Sequence, residues 1–312
     1  MVIITALLVA GLMVAGCVSG ESPTAPSTTP IPTVAETPEE LRIATTTSLY
    51  DTKLLDHLQS IFEKKHNAKL LVVSAGTGKA LEYGQRGDVD VMMVHDRARE
   101  DTFIADGDGV NRRVIAYNYF VIIGPESDPA GIKGEQPEVA FQTLMEKGKA
   151  GEAGVVFVSR GDASGTHAKE KAIWKAAGFD YATDVQNSGN WYVEAGSGMG
   201  ATLVMANEKE AYTLSDIGTF LAYKGDLTLV PVVSEGDILL NVYSAMLINP
   251  EKHTGVDTEL GKKWINFLTS DEAQQEIASF GVVEYGEPLF FPAKGNWAVM
   301  GVSEAEVSAP VL

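Results

Sequence analysis

Four short stretches of the sequence combine hydroxyl side chains or glycine with the start of a helical pattern, and one adds a guanidinium. They are Thr45-Thr46-Thr47-Ser48, Ser74-Ala75-Gly76-Thr77-Gly78, the run from Ser159 to His167, and Gly196-Ser197-Gly198-Met199-Gly200. The first three follow apolar, strand-like runs. A helix N-terminus exposes unpaired N–H groups and carries partial positive charge, so hydroxyls and a close-approaching glycine backbone beside it form a cradle for an oxyanion. In the third stretch Arg160 supplies a planar fork of donors, while Ser164, Gly165 and Thr166 put hydroxyl and N–H groups at the helix start. Asp162 reads as the partner that orients Arg160, because a carboxylate facing a dianion would repel it. The candidate oxyanion-binding residues are therefore Thr46, Thr47, Ser48, Gly76, Thr77, Gly78, Arg160, Ser164, Gly165, Thr166 and Ser197, with Asp162 behind them.

Each stretch also has an ordinary structural reading. Thr47 or Ser48 can simply cap a helix, although four consecutive hydroxyl residues exceed what one cap requires. Gly76-Thr77-Gly78 alone is most simply a tight turn. Gly196 to Gly200 fits a flexible turn as well as a cleft wall. In the third stretch the coincidence of Arg160 with Ser164-Gly165-Thr166 outweighs a capping box beside an incidental surface arginine. The cluster Asp162, Ser164, His167 raises a rival from another class, a Ser/His-dependent hydrolase. A Ser and a His three apart at a helix start do not make a nucleophile elbow, however, and no Gly-x-Ser-x-Gly occurs. The histidines His57, His66, His95, His167 and His253 are scattered without ligand spacing, so no metal site and no cofactor are expected. A sensing domain of a regulator would need a DNA-binding or kinase module, and nothing in the chain resembles one.

The elements that must position these turns alternate in type. Leu41 to Ala44 reads as a strand, followed by a helix whose Leu54, Leu55, Leu58, Ile61 and Phe62 share one face. Lys69 to Ser74 and Val89 to Val94 are further strands, with a helix through Ala80, Leu81 and Tyr83 between them. Val155 to Val158 leads into a helix carrying Ala168, Ile173, Trp174 and Ala177, and Leu203, Val204 and Ala206 mark another. Apolar strands alternating with helices indicate an α/β fold with a parallel sheet covered on both faces. Two apolar strands, Asn118 to Pro125 and Asn241 to Pro250, each open with Asn and close with Pro. One reading makes them the crossings between two discontinuous lobes, residues 41–124 plus 246–312 and residues 125–245, with the site in the cleft. The other makes both ordinary core strands of one large sheet.

The chain has 312 residues, with 24 Lys+Arg against 42 Asp+Glu and a formal net charge of -18. That balance argues against nucleic-acid or anionic-lipid partners, and any anion site must rely on local donors rather than on the overall field. A single cysteine, Cys17, excludes an internal disulfide framework. The apolar run from Val2 to Ala15 is too short for a transmembrane helix and fits a signal-peptide core, although no Lys or Arg precedes it. Val14-Ala15-Gly16-Cys17 looks like a lipobox, with Cys17 as the lipidated residue; the alternative is a short uncut anchor. Residues 18–40, rich in Ser, Thr, Pro, Ala and Glu, read as a disordered stalk. Together these features predict an extracytoplasmic protein anchored to the outer face of the cell membrane.

The motifs together resemble the TupA-type tungstate-binding component of ABC importers. The resemblance rests on Thr45 to Ser48, Gly76-Thr77-Gly78, Asp90 to Asp96, Gly109 to Arg113, Ser159 to His167, Glu194 to Leu203 and Ala206 to Lys209. It runs from residue 42 to about 295 and implies a two-lobed periplasmic-binding-protein fold of type II. It also implies a monomer that holds tungstate between its lobes and delivers it to an ABC transporter permease. The arginine loop is similar to that of phosphate-binding proteins, so molybdate and phosphate remain alternative ligands. Tungstate and molybdate are fully deprotonated dianions that only accept hydrogen bonds, whereas phosphate carries a proton near neutral pH. Asp90 and Asp96 are the nearest candidates for the acceptor a phosphate site would need, and both fit equally well as structural groups.

Overall fold

The structure, a computed structural model, describes residues 37–312; the expected signal-peptide core, lipobox with Cys17 and stalk up to residue 36 lie outside the described residues. The first apolar run forms β1 (Glu39–Thr46). It starts upstream of the expected Leu41 because Glu39 and Glu40 pair with Ala68 and Lys69 of a neighbouring strand, so the last residues assigned to the stalk belong to the sheet. The helix expected next is divided. A short α1 (Thr47–Asp51) ends where the Thr52 hydroxyl donates to Leu49 O (2.7 Å), and Lys53 at φ 67 redirects the chain into α2 (Leu54–His66). On α2, Leu54, Leu55, Leu58 and Phe62 are buried, with Ile61 half-buried, as the spacing predicts.

The chain continues through β2 (Ala68–Ala75), α3 (Thr77–Arg86), β3 (Val91–Val94) and α4 (Arg97–Ala105) to the 16-residue β4 (Gly109–Gly124). β3 begins later than Val89 because Asp90 turns its carboxylate onto the Arg42 backbone N–H (2.7 Å) and guanidinium. After α5 (Pro137–Lys149) come β5 (Phe157–Ser159), α6 (Gly165–Ala176), β6 (Tyr192–Glu194), α7 (Met199–Glu208), β7 (Tyr212–Asp216) and α8 (Ile217–Tyr223). Then β8 (Val230–Val233), β9 (Leu240–Ile248), α9 (Thr258–Leu268), α10 (Asp271–Ser279) and a two-residue β10 (Phe291–Pro292) lead towards the C-terminus.

The strands hydrogen-bond in the order β2-β1-β3-β9-β4-β7-β5-β6, with β8 and β10 also on β4. β1 is parallel to β2 and β3, and β5 is parallel to β6 and β7, while β9 and β4 run antiparallel to their neighbours. β4 pairs with β9 over Gly109–Tyr119 and then with β7 and β8 over Phe120–Gly124. One apolar cluster joins Phe62, Trp264 and Phe267 to Val158, Leu203, Phe220 and Leu229; another, built on Phe141, Phe157, Trp174 and Trp191, draws all its buried members from Phe120 to Leu239. Among the described residues no helix is long and apolar enough to cross a membrane.

Candidate functional site

Parallel strands deliver the turns side by side. Thr46 at the end of β1 lies opposite Ala75 at the end of β2, so the Thr46–Ser48 and Gly76–Gly78 turns emerge together. Ser159 at the end of β5 lies opposite Glu194 of β6. Beyond them the two chains stay in register, with Ala195 N donating to Ser159 O (2.8 Å) and Gly196 N to Arg160 O (2.9 Å). This is the carboxyl edge where parallel α/β sheets place ligands. α3 and α7 start from Gly76 and Gly198, neither with a side-chain cap, so their first N–H groups are not consumed by one. Gly161 is required where it stands: at φ +58 a Cβ would lie 2.5 Å from Glu194 Cβ.

The two pairs of turns then meet. Arg160 Nη2 donates to Thr47 Oγ1 (3.5 Å), and Gly78 N donates to Ala163 O (3.2 Å). The same Ala163 carbonyl accepts from Arg99 Nη1 (2.8 Å) on α4. A Cβ on Gly76 would stand 3.9 Å from Ser164 N. Thr47, the Gly76–Gly78 turn and the arginine loop, distant in sequence, therefore lie against one another.

Several polar groups on these turns are left without partners. Thr77 Oγ1, Arg160 Nε, Thr166 Oγ1 and Ser197 Oγ are all buried with no hydrogen-bond partner in the protein. Buried polar atoms without partners are rare in native structures and call for an explanation. Arg160 is itself 3% exposed; its charge is held by Asp162 Oδ2 at 2.6 Å, while Asp162 Oδ1 accepts from Ser164 N (3.1 Å). Other hydroxyls have structural tasks. Thr46 Oγ1 caps α1 by accepting from Leu49 N (3.4 Å), and Ser164 Oγ caps α6 by accepting from His167 N (3.1 Å). Ser48 Oγ lies 3.0 Å from His95 Nε2.

A hydrogen-bonded layer supports the arginine loop. Glu170 accepts from Ser159 Oγ (2.6 Å), Tyr192 OH (2.6 Å) and Trp174 Nε1 (3.0 Å), and Ser159 Oγ in turn accepts from Gly161 N (3.0 Å). Burial pushes the Glu170 carboxyl up to about 7. The His167 ring bonds Asp162 O through Nδ1 and Tyr181 OH through Nε2 (2.9 Å), and burial lowers its pKa. Both ring nitrogens are thus engaged away from Ser164 Oγ, and the nucleophile–base contact proposed between Ser164 and His167 is not formed. Asp216 caps α8, accepting from Thr219 N (2.8 Å) and Oγ1 (2.7 Å); burial raises its pKa, opposed by those bonds and by Arg160.

Asp90 and Asp96 are both engaged by arginines of their own. Asp90 Oδ1 and Oδ2 bind Arg42, and Oδ1 also accepts from Asp257 N (2.9 Å). Asp96 Oδ1 caps α4 by accepting from Arg99 N (3.2 Å), while Oδ2 faces the Arg99 guanidinium at 3.3 Å and makes no hydrogen bond. Among the described residues no cluster of three His, Cys, Asp or Glu side chains could hold a metal ion. Sequence reasoning did not assign His95, Arg99 or Asp216 to this region. Asp216 carried a usable signal, an Asp three residues before Thr219 at a strand-to-helix turn, the pattern of an N-cap.

The fold is that of a periplasmic-binding-protein superfamily member, and the family model described as the PBP superfamily domain matches residues 24–272. The TupA tungstate-binding protein of Peptoclostridium acidaminophilum is 39% identical over 93% of this chain and 96% of its own length. Two solved structures agree. The tungstate ABC transporter from Geobacter sulfurreducens is 47% identical with a TM-score of 0.69, covering 78% of this chain and 99% of that one. The tungstate-binding protein TupA from Desulfovibrio alaskensis G20 is 39% identical with a TM-score of 0.68, over 81% of this chain and 98% of that one. The chain belongs to this TupA family within the periplasmic-binding-protein superfamily and has its two-lobed type II α/β fold.

Proposed function

We propose that this protein captures tungstate between the two pairs of turns and presents it to the permease of an ABC importer. The observation that carries the reading is the set of four buried, unpartnered polar groups, Thr77 Oγ1, Arg160 Nε, Thr166 Oγ1 and Ser197 Oγ, gathered on adjoining turns. All four can donate, which suits a fully deprotonated tetrahedral dianion. Phosphate would need an acceptor for its proton; Asp90 and Asp162 are hydrogen-bonded to arginines, and Asp96, which faces Arg99 with its Oδ2 free of hydrogen bonds, is the carboxylate that titration with phosphate tests. Molybdate shares the charge and shape of tungstate and is the second reading, supported by the same donors.

The two lobes are assigned to residues 41–124 plus 246–312 and to residues 125–245. The partner change of β4 at Tyr119/Phe120 supports a crossing near this boundary, five residues before it, while the larger apolar cluster also takes in Val158, Leu203, Phe220 and Leu229 of the second segment. The protein is taken to act as a monomer, secreted and lipidated on Cys17, with residues 18–36 as the tether. The test is competitive titration calorimetry with tungstate, molybdate, sulfate and phosphate on protein lacking residues 1–36. Tungstate should outcompete sulfate and phosphate; binding of phosphate in preference to tungstate overturns the assignment.

A further inference from the structure

His95, just after β3, is packed and hydrogen-bonded against several elements beside the turns. Its ring stacks on Tyr243 of β9 (centroids 4.8 Å apart) and lies so close under α6 that a Cβ on Gly165 would meet it at 2.6 Å. Nδ1 is 2.9 Å from Asn241 Oδ1, and Nε2 is 3.0 Å from Ser48 Oγ. Asn241 is the register partner of Asn118 across β9 and β4, and their amides bond at 2.9 Å. His95, Asn118, Asn241, Tyr243 and Ser48 are all buried.

The direction of every hydrogen in this chain follows from one backbone carbonyl. Leu289 O can only accept, so the group facing it at 3.3 Å is the Asn118 NH2. Asn118 Oδ1 must then accept, which turns the Asn241 NH2 towards it and towards Tyr243 OH (2.8 Å). Asn241 Oδ1 is left facing His95, so Nδ1 carries the imidazole proton. Burial, with Arg160 and Lys169 nearby, holds the His95 pKa down to about 4, so the ring is neutral and Nε2 offers a lone pair. Ser48 must donate its hydroxyl hydrogen to that lone pair. Thr46 Oγ1, 3.3 Å from Ser48 Oγ, then becomes the donor of that contact.

We infer that His95 is a positioning residue for oxyanion binding: the Asn118–Asn241 pair locks it as the Nδ1–H tautomer, and in that form it ties the Ser48 turn to strands β4 and β9. The Ser48 and Thr46 hydroxyl hydrogens point inward along this relay. The turn then meets a tetrahedral oxyanion through Thr47 and its backbone N–H groups. The ligand part of this inference rests on the function proposed above, whereas the tautomer does not.

Two measurements test it. In 15N NMR spectra of the whole protein at neutral pH, His95 should show a protonated Nδ1 and an unprotonated Nε2; the opposite, commoner tautomer overturns the inference without any ligand present. Calorimetry with sodium tungstate on two variants gives the second arm. His95→Gln keeps an acceptor near the Nε2 position for Ser48, so affinity should stay within about threefold of the wild type. His95→Asn keeps the bond to Asn241 and loses the one to Ser48, so affinity should fall at least about tenfold. Equal losses in both variants would reduce His95 to a packing residue. Wild-type protein that does not bind tungstate would sink the ligand assignment, and the tautomer would still decide the role of His95.

Discussion

Thr77→Val should stabilise the ligand-free protein and weaken anion binding, two effects of opposite sign from one atom. Thr77 is fully buried and is the first residue of α3, and its Oγ1 has no partner in the protein. Valine keeps the shape and the β-branch and removes only the hydroxyl. An unsatisfied buried hydroxyl costs of the order of 1–3 kcal/mol, so deleting it should return about 1 kcal/mol, or roughly 2–4 °C in Tm. If the same hydroxyl donates to a bound dianion, its loss removes a charge-assisted bond of about 1.5–3 kcal/mol, roughly a ten- to hundredfold weaker Kd. Denaturant unfolding of ligand-free protein and tungstate calorimetry on the same preparation measure both. A variant that is destabilised and binds tungstate as tightly as the wild type refutes the reasoning, because Thr77 would then be an ordinary structural hydroxyl.

Arg160→Ala should cost at least about tenfold in tungstate affinity with the fold retained, measured by calorimetry and circular dichroism. Unchanged affinity removes Arg160 from the site. Stability should respond to pH through Glu170. Burial raises its pKa from 4.5 to about 7, so its contribution is full below the unfolded value and is lost as pH rises through about 7. Glu100, also raised to about 7, adds to this trend, whereas His95, lowered to about 4, opposes it below its ordinary 6.5. Glu170→Gln should therefore flatten the fall in Tm between pH about 5 and about 8; a profile parallel to the wild type rejects the assignment. Arg99→Met removes one donor to Ala163 O and should speed tungstate release several-fold, about 1 kcal/mol, with little change in association rate, read by stopped-flow fluorescence. An effect confined to association would contradict it.

The strand-to-helix alternation made the turns legible. Once β1, β2 and β5 are strands followed by helices, Thr46–Ser48, Gly76–Gly78 and Arg160–Thr166 must lie at carboxyl ends of parallel strands. The Arg160–Asp162 pair was legible too, because its partners are two residues apart. What each hydroxyl does was not. Four successive Thr and Ser residues look alike in sequence, yet Thr45 Oγ1 donates to Met93 O, Thr46 caps α1, Thr47 meets Arg160 and Ser48 meets His95. The division follows from which way each side chain leaves a turn that changes from strand to helix. His95 looked like one scattered histidine because its partner Asn241 is 146 residues away. The asparagines that open the two apolar strands were visible, but their bond depends on a register that shifts between Val110 and Arg113 and between Val114 and Ala116. Such irregularities leave no mark in an apolar pattern.

The carbonyl of Ala163 takes two donors from different parts of the chain, the Gly78 amide and the Arg99 guanidinium. Because both bonds end on one oxygen, a swing of the peptide between Ala163 and Ser164 breaks them at the same instant, so the ties of the arginine loop to α3 and α4 are lost together, while those of Arg160 to Thr47 and Gly196 do not depend on that peptide. The fastening belongs to the main chain, so substitutions of the Ala163 side chain leave the acceptor in place, and only a rotated peptide releases it.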